Sequence, residues 1–192
     1  MFMFTPTFMA RFLDRNYVLR VLWMFEEGKL KIVHDSMDTC QSIREWRGSN
    51  PSLVMMLRVM LDVARAIQYV DSMDVLLHNT SDLRDIFLDS ECHVKILPWG
   101  SILPMTRLSA EEVHQRNIFI LGCTFYELYF NAELYRNHFR FMDDMIHGPE
   151  RPSEPEISDE LWQVIQRCYA ADPKSRPTIQ EVVQEMESWK ID

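Results

Sequence analysis

The sequence predicts an α+β fold dominated by its helical part. Three observations predict it: two short apolar runs around a glycine-containing turn, a long amphipathic stretch mid-chain, and two capped helical segments at the end. Val18–Phe25 and Lys29–His34 flank Glu26-Glu27-Gly28 and read as a β-hairpin. A polar stretch follows, with a short helix and a loop at Gly48–Pro51. From Ser52 to Ser72, the residues Leu53, Met56, Leu57, Met60, Leu61, Ala64, Ile67 and Val70 recur at helical spacing, with Asp62, Arg65 and Gln68 off that face. Val75–Leu77, Ile86–Leu88 and Val94–Leu97 are too short for helices and read as short strands between polar turns. Ile118–Phe130 is almost wholly apolar, as befits a helix buried on most sides. Prolines at 149, 152 and 155 make the next stretch irregular. Ser158 or Asp159 then caps a helix through about Ala170, and Thr178 followed by Glu181 has capping-box spacing for a last helix, Thr178–Trp189.

The bulk numbers exclude several classes. At 192 residues and 47% apolar content, the chain can bury a real core and is not a disordered segment. A formal charge of −9 argues against nucleic acid, whose recognition relies on Lys and Arg. No apolar run approaches the roughly 18 residues of a membrane-spanning helix. The opening MFMFTPTFMARFLDR carries its charges after its apolar part, so no secretory signal is expected. Cys40, Cys92, Cys123 and Cys168 form no CxxC pair, which gives no metal spacing and no disulfide framework. Reduced thiols in a cytoplasmic protein are the expectation, with no cofactor and no metal.

The end of the chain carries a family pattern. LWQVIQRCYAADPKSRPTIQEVVQEMESW, with Cys168, Tyr169, Asp172, Pro173, Arg176, Pro177 and Thr178 in register, resembles the last two large helices of a eukaryotic protein kinase, in the manner of its tyrosine-kinase and tyrosine-kinase-like branches. NIFILGCTFYEL is similar to the buried helix of the kinase large lobe, with Asn117 and Phe119 where that helix has Asp and Trp. LRVMLDVARAIQYVDS resembles the helix before the catalytic loop, and VLRVLWMFEEGKLKIVHDSM the fourth and fifth strands of the small lobe with the hinge. The resemblance covers about residues 8–190. It implies a small-lobe remnant over residues 1–37 and a kinase-like large lobe over 38–192. It also implies that the Gly-rich loop, the phosphate-binding Lys and its Glu partner would lie ahead of residue 1.

In that register LHNTSDLRDIFL stands at the catalytic loop HRDxxxxN, and Pro98-Trp99-Gly100 at Asp-Phe-Gly. His78 keeps the His, which in the family is a packing residue. Thr80 replaces the Asp that accepts the substrate proton, Asp85 replaces the metal-binding Asn, and Pro98 replaces the main magnesium ligand. An alcohol does not ionise near neutral pH and proline has no carboxylate, so phosphoryl transfer loses its base and its metal anchor. The glycines, at 28, 48, 100, 122 and 148, form no GxG. The resemblance thus implies an inactive pseudokinase. The alternative is residual nucleotide binding or an unconventional phosphotransferase using Asp85 or Asp82.

If SAEEV holds the remnant of Ala-Pro-Glu, Glu112 pairs with Arg176 as the family's structural ion pair. Cys168 is expected to be a small buried apolar residue and Thr178 a helix cap. The N-terminal region, with Phe4, Phe8, Phe12, Val18, Leu22 and Trp23, belongs to a part that packs inside a complete small lobe, so its apolar surface calls for a protein partner. A genuine kinase, engaged through its small lobe, is one such partner. The His-Asn and Asp-Ile-Phe pieces resemble truncated kinase-like proteins of insect baculoviruses, which inhibit translation-initiation-factor kinases in this way.

Overall fold

The computed structural model describes residues 14–19, 40–73, 77, 83, 86–97, 109–132 and 150–189, and for 21–26 and 29–34 the backbone path alone. Strands β1 (Val21–Glu26) and β2 (Lys29–His34) pair antiparallel as a two-stranded sheet, with Leu22 opposite Val33 and Trp23 opposite Ile32. A second sheet has the order β3–β4–β5, from Gln41–Ser42, Ile86–Leu88 and Val94–Ile96, all antiparallel. The helices are α1 (Ile43–Gly48), α2 (Leu53–Asp71), α3 (Ala110–Phe130), α4 (Asp159–Cys168) and α5 (Ile179–Ser188). The result is an α+β fold dominated by helices, as the periodicities predict. Val75 and Leu76 of the third expected short strand lie outside the described residues.

Helix α2 packs on α3, α5 and β5, and α3 on α4. Every residue of α3 from Asn117 to Tyr129 is buried, so this helix is the central post of the core. Its C-terminus ends on Asn131 in the left-handed region (φ 51°), a conformation that Asn tolerates better than most residues. Arg47 of α1 completes that end, donating from Nε to the Leu128 carbonyl (2.7 Å) and from Nη2 to the Tyr129 carbonyl (3.0 Å). A cation on orphan carbonyls is the favourable sign for a helix C-terminus.

Local chemistry sets the helix starts. Ser42, Ser52, Ser109, Ser158 and Thr178 are N-caps, and those at 42, 109 and 178 form complete capping boxes with Glu45, Glu112 and Glu181. The caps at 158 and 178 follow the sequence expectation. The box at Ser109 extends α3 two turns ahead of the apolar run at Ile118, because Ser109 and Glu112 satisfy the first orphan donors before the buried part begins.

Residues 14–19 lie along the lobe. Val18 bridges Ile96 in parallel, Leu19 N–H donates to the Ile96 carbonyl (3.0 Å) and Ile96 N–H to the Tyr17 carbonyl (2.8 Å). Lys95 Nζ donates to the carbonyls of Arg15 and Asn16 (2.9 and 3.0 Å), and the Tyr17 ring stacks on Tyr69 at 5.1 Å. Val18 is 3% exposed. This corrects the expectation that Val18 offers surface to a partner: hydrogen bonding to β5 draws it into the core.

Gly122 sits where α3 crosses α4, and a Cβ there would lie 2.8 Å from the Cys168 Cβ. Gly122→Ala is therefore expected to destabilise the chain by about 1–3 kcal/mol in urea unfolding. Cys168→Ala keeps the offending atom and gives no rescue, whereas Cys168→Gly in the same chain recovers part of the loss. The capping carboxylates give a second expectation. Hydrogen bonds from Thr178, the backbone N–H foremost, hold Glu181 below its usual pKa. A lowered carboxylate stabilises above its unfolded value, ~4.3, and that help is lost as pH falls through the lower folded one. The melting temperatures of wild type and Glu181→Gln should thus differ at neutral pH and converge in acid.

Candidate functional site

The chain that leads into the catalytic-loop register is held by a buried polar chain of groups. Asn117 is fully buried on α3, at the position where the resemblance has Asp. Its Oδ1 accepts the Leu77 N–H (3.0 Å), and its Nδ2 donates to Asp71 Oδ1 (2.8 Å) at the end of α2. His114, one turn earlier on α3, places Nδ1 2.8 Å from the other oxygen, Asp71 Oδ2. A carboxylate only accepts, so that ring nitrogen carries the proton. Two helices and the backbone at Leu77 are thereby fastened at one point.

This arrangement explains Asn117. An Asp at 117 could still accept from Leu77, but it would set a second carboxylate against Asp71. Asn supplies one acceptor and one donor and satisfies both neighbours. Asp71 and His114 were missed in the sequence. The available signal was an acid in the last turn of a helix, where the helix dipole disfavours negative charge unless a donor answers it.

Arg176 is the second fixed point. It is 6% exposed, donates from Nε to the Ala170 carbonyl (3.0 Å) and from Nη1 to the Gln115 carbonyl (2.8 Å), and lies 5.0 Å over the Phe119 ring. Its Nη2 is buried without a hydrogen bond. The expected ion pair with Glu112 is not formed, which corrects that assignment. Glu112 is exposed and its carboxylate accepts the Ser109 N–H (2.8 Å) and hydroxyl (2.9 Å), so the helix cap takes the acid that the resemblance gives to the arginine. Burial pulls the Arg176 guanidinium below its ordinary pKa, with Cys123, Cys168 and Asp172 acting the other way. Carbonyl dipoles and an aromatic face replace the counter-ion.

The four cysteines are free. Burial pushes the Cys168 thiol up to about 12 and raises Cys123 as well, so both are packing groups rather than nucleophiles. Leu77 and Leu83 are buried and β4 and β5 flank the loop register, so the scaffold around it is packed. His78, Thr80, Asp82, Asp85, Pro98, Trp99 and Gly100 themselves lie outside the described residues, as do Phe4, Phe8 and Phe12. For Leu22, Trp23 and His34 only the strand backbone is described. Among the described residues no group of three His, Cys, Asp or Glu could hold a metal ion, and no helix is long and apolar enough to cross a membrane.

The chain is similar at low identity to several protein kinases. No family model matches it. It is 23% identical over 206 residues to the dual specificity protein kinase shkE of Dictyostelium discoideum, covering 93% of this chain and 29% of that protein. It is 24% identical to the receptor tyrosine-protein kinase erbB-2 of Mesocricetus auratus (90% of this chain, 16% of that one). The dual serine/threonine and tyrosine protein kinase of Apis mellifera is 22% identical over 161 residues, 69% of this chain and 16% of its own. The chain is kinase-like over most of its length and spans less than a third of these relatives.

Asn117→Asp is expected to cost about 3 kcal/mol at neutral pH, on the scale of an uncompensated buried charge. The loss should shrink in acid, as one of the two carboxyl groups takes up a proton. Adding Asp71→Asn restores one acceptor against one donor and should recover most of the stability. A double-mutant cycle in urea reads the coupling directly.

Proposed function

We propose that the chain is a catalytically inactive pseudokinase that acts by binding another protein. The observation that carries this reading is the contrast between packing and content in one sequence. Asn117, Arg176 and the capped helices hold the helical part together, while Thr80 and Pro98 stand where the kinase resemblance has the carboxylates of phosphoryl transfer. Proline offers a divalent cation no side-chain ligand, and Asp85 by itself is a poor magnesium site. Cytoplasmic placement accords with four free thiols, of which Cys123 and Cys168 are buried.

The partner we favour is a genuine kinase, engaged at its small lobe by the β1–β2 hairpin. Support comes from the hairpin's own sheet: among the described residues no third strand joins it, and two strands alone are marginal in water. The kinase names of the relatives agree with a partner of the same architecture, since a lobe that resembles a kinase's own can substitute for it.

ATP with Mg²⁺ or Mn²⁺ should leave the melting temperature unchanged and label no substrate. A marked rise, or phosphate transfer lost in Asp85→Asn, would instead favour the nucleotide-binding alternative built on Asp85 or Asp82. Binding to a purified kinase small lobe tests the partner. Because Val18 and Leu19 are part of the core, the informative variants are Leu22→Glu and Trp23→Glu rather than removal of residues 1–34. Either should weaken binding roughly tenfold or more if the hairpin is the contact. Undiminished binding places the contact elsewhere.

A further inference from the structure

His114 is a titratable side chain that the proposed function does not use. Its side chain is 39% exposed, while that of Asp71 is 11% exposed and Asn117 is fully buried. Protons therefore reach the imidazole from solvent, and what the imidazole does to Asp71 is felt in the interior. The connection runs through three hydrogen bonds: His114 Nδ1 to Asp71 Oδ2, Asn117 Nδ2 to Asp71 Oδ1, and Leu77 N–H to Asn117 Oδ1. Leu77 is the residue immediately before the stretch 78–82 that stands in catalytic-loop register.

We propose that His114 is a proton-operated latch on the chain entering residues 78–82: protonated, it tightens the grip of Asp71 and Asn117 on Leu77, and neutral, it loosens that grip. Protonation turns the Asp71 contact from a bond with one charged partner into an ion pair, which adds direct Coulomb attraction to the hydrogen bond. Loss of the proton leaves a neutral imidazole that holds Asp71 only in the tautomer with hydrogen on Nδ1.

Among the described residues, the charges that face His114 come from three elements. Asp71 at the end of α2 touches it and favours the cation. On α3, Glu111 lies three residues earlier and favours it too, whereas Arg116 and the positive end of the helix dipole oppose it. Arg176 reaches α3 at the Gln115 carbonyl and also opposes it. Direct contact outweighs the more distant charges, because the attraction falls with separation and screening. The grip is therefore strongest below the titration of His114 and declines as pH rises through it, across the range in which imidazole is the natural switch.

The test is amide hydrogen exchange on the full chain between about pH 5.5 and 8, with the intrinsic pH dependence of exchange divided out. His114 is followed by its own ring resonances. Protection of the Leu77 amide should fall by about three- to tenfold as His114 loses its proton. The Ile96 amide, bonded to the Tyr17 carbonyl, serves as reference and should not follow the imidazole. In His114→Gln, whose amide donates but does not titrate, the Leu77 step should disappear. Flat Leu77 protection in wild type overturns the proposal, as does a step displaced from the imidazole titration or one retained in His114→Gln. If His114→Gln does not fold, the comparison of Leu77 with Ile96 in wild type decides alone.

Discussion

A single buried amide, Asn117, holds three parts of the chain to one another. Its oxygen satisfies a backbone N–H at Leu77 and its nitrogen satisfies Asp71, so the end of α2, the middle of α3 and the entry to the loop register share one fixed point. In a core this apolar, each of those groups would be costly without its partner. The geometry also constrains chemistry: with an acid at 71, position 117 needs a donor and an acceptor together. Asn meets that need, and Asp does not.

A similar exchange of partners occurs at Arg176. The guanidinium is buried against carbonyls and the Phe119 ring, and the glutamate expected to neutralise it caps α3 instead. A buried charge can be held by dipoles when several converge, and here the Ala170 and Gln115 carbonyls do so. In both cases the polar group is held by whichever acceptors the packed helices bring to it. Residues 14–19 lie along β5 and tie the approach to the hairpin to the lobe.

The helices were largely legible. The 3.6-residue period of Leu53, Met56, Met60 and Ile67 marks α2, and Ser158 and Thr178 mark starts, because capping is a local interaction between residues three apart. The start of α3 was not: SAEEV reads equally as a family motif remnant and as a capping box, and local sequence does not say which partner Glu112 takes. Of the candidate site, Thr80, Asp85 and Pro98 are plain in the sequence, and only the kinase resemblance gives their positions a meaning. Asp71 and His114 were not, because their meaning depends on residues 46 and 43 positions away.

By itself, the sequence determined the class of fold and the positions of most helices, since each follows from periodicity or short-range hydrogen bonding. Tertiary structure alone decided the pairings: Asn117 with Asp71 and Leu77, Arg176 with carbonyls rather than Glu112, and Val18 with Ile96 in the core. The physical reason is that a polar group's partner is set by which elements meet in space. No local pattern carries that information when several acceptors stand equally near in the chain.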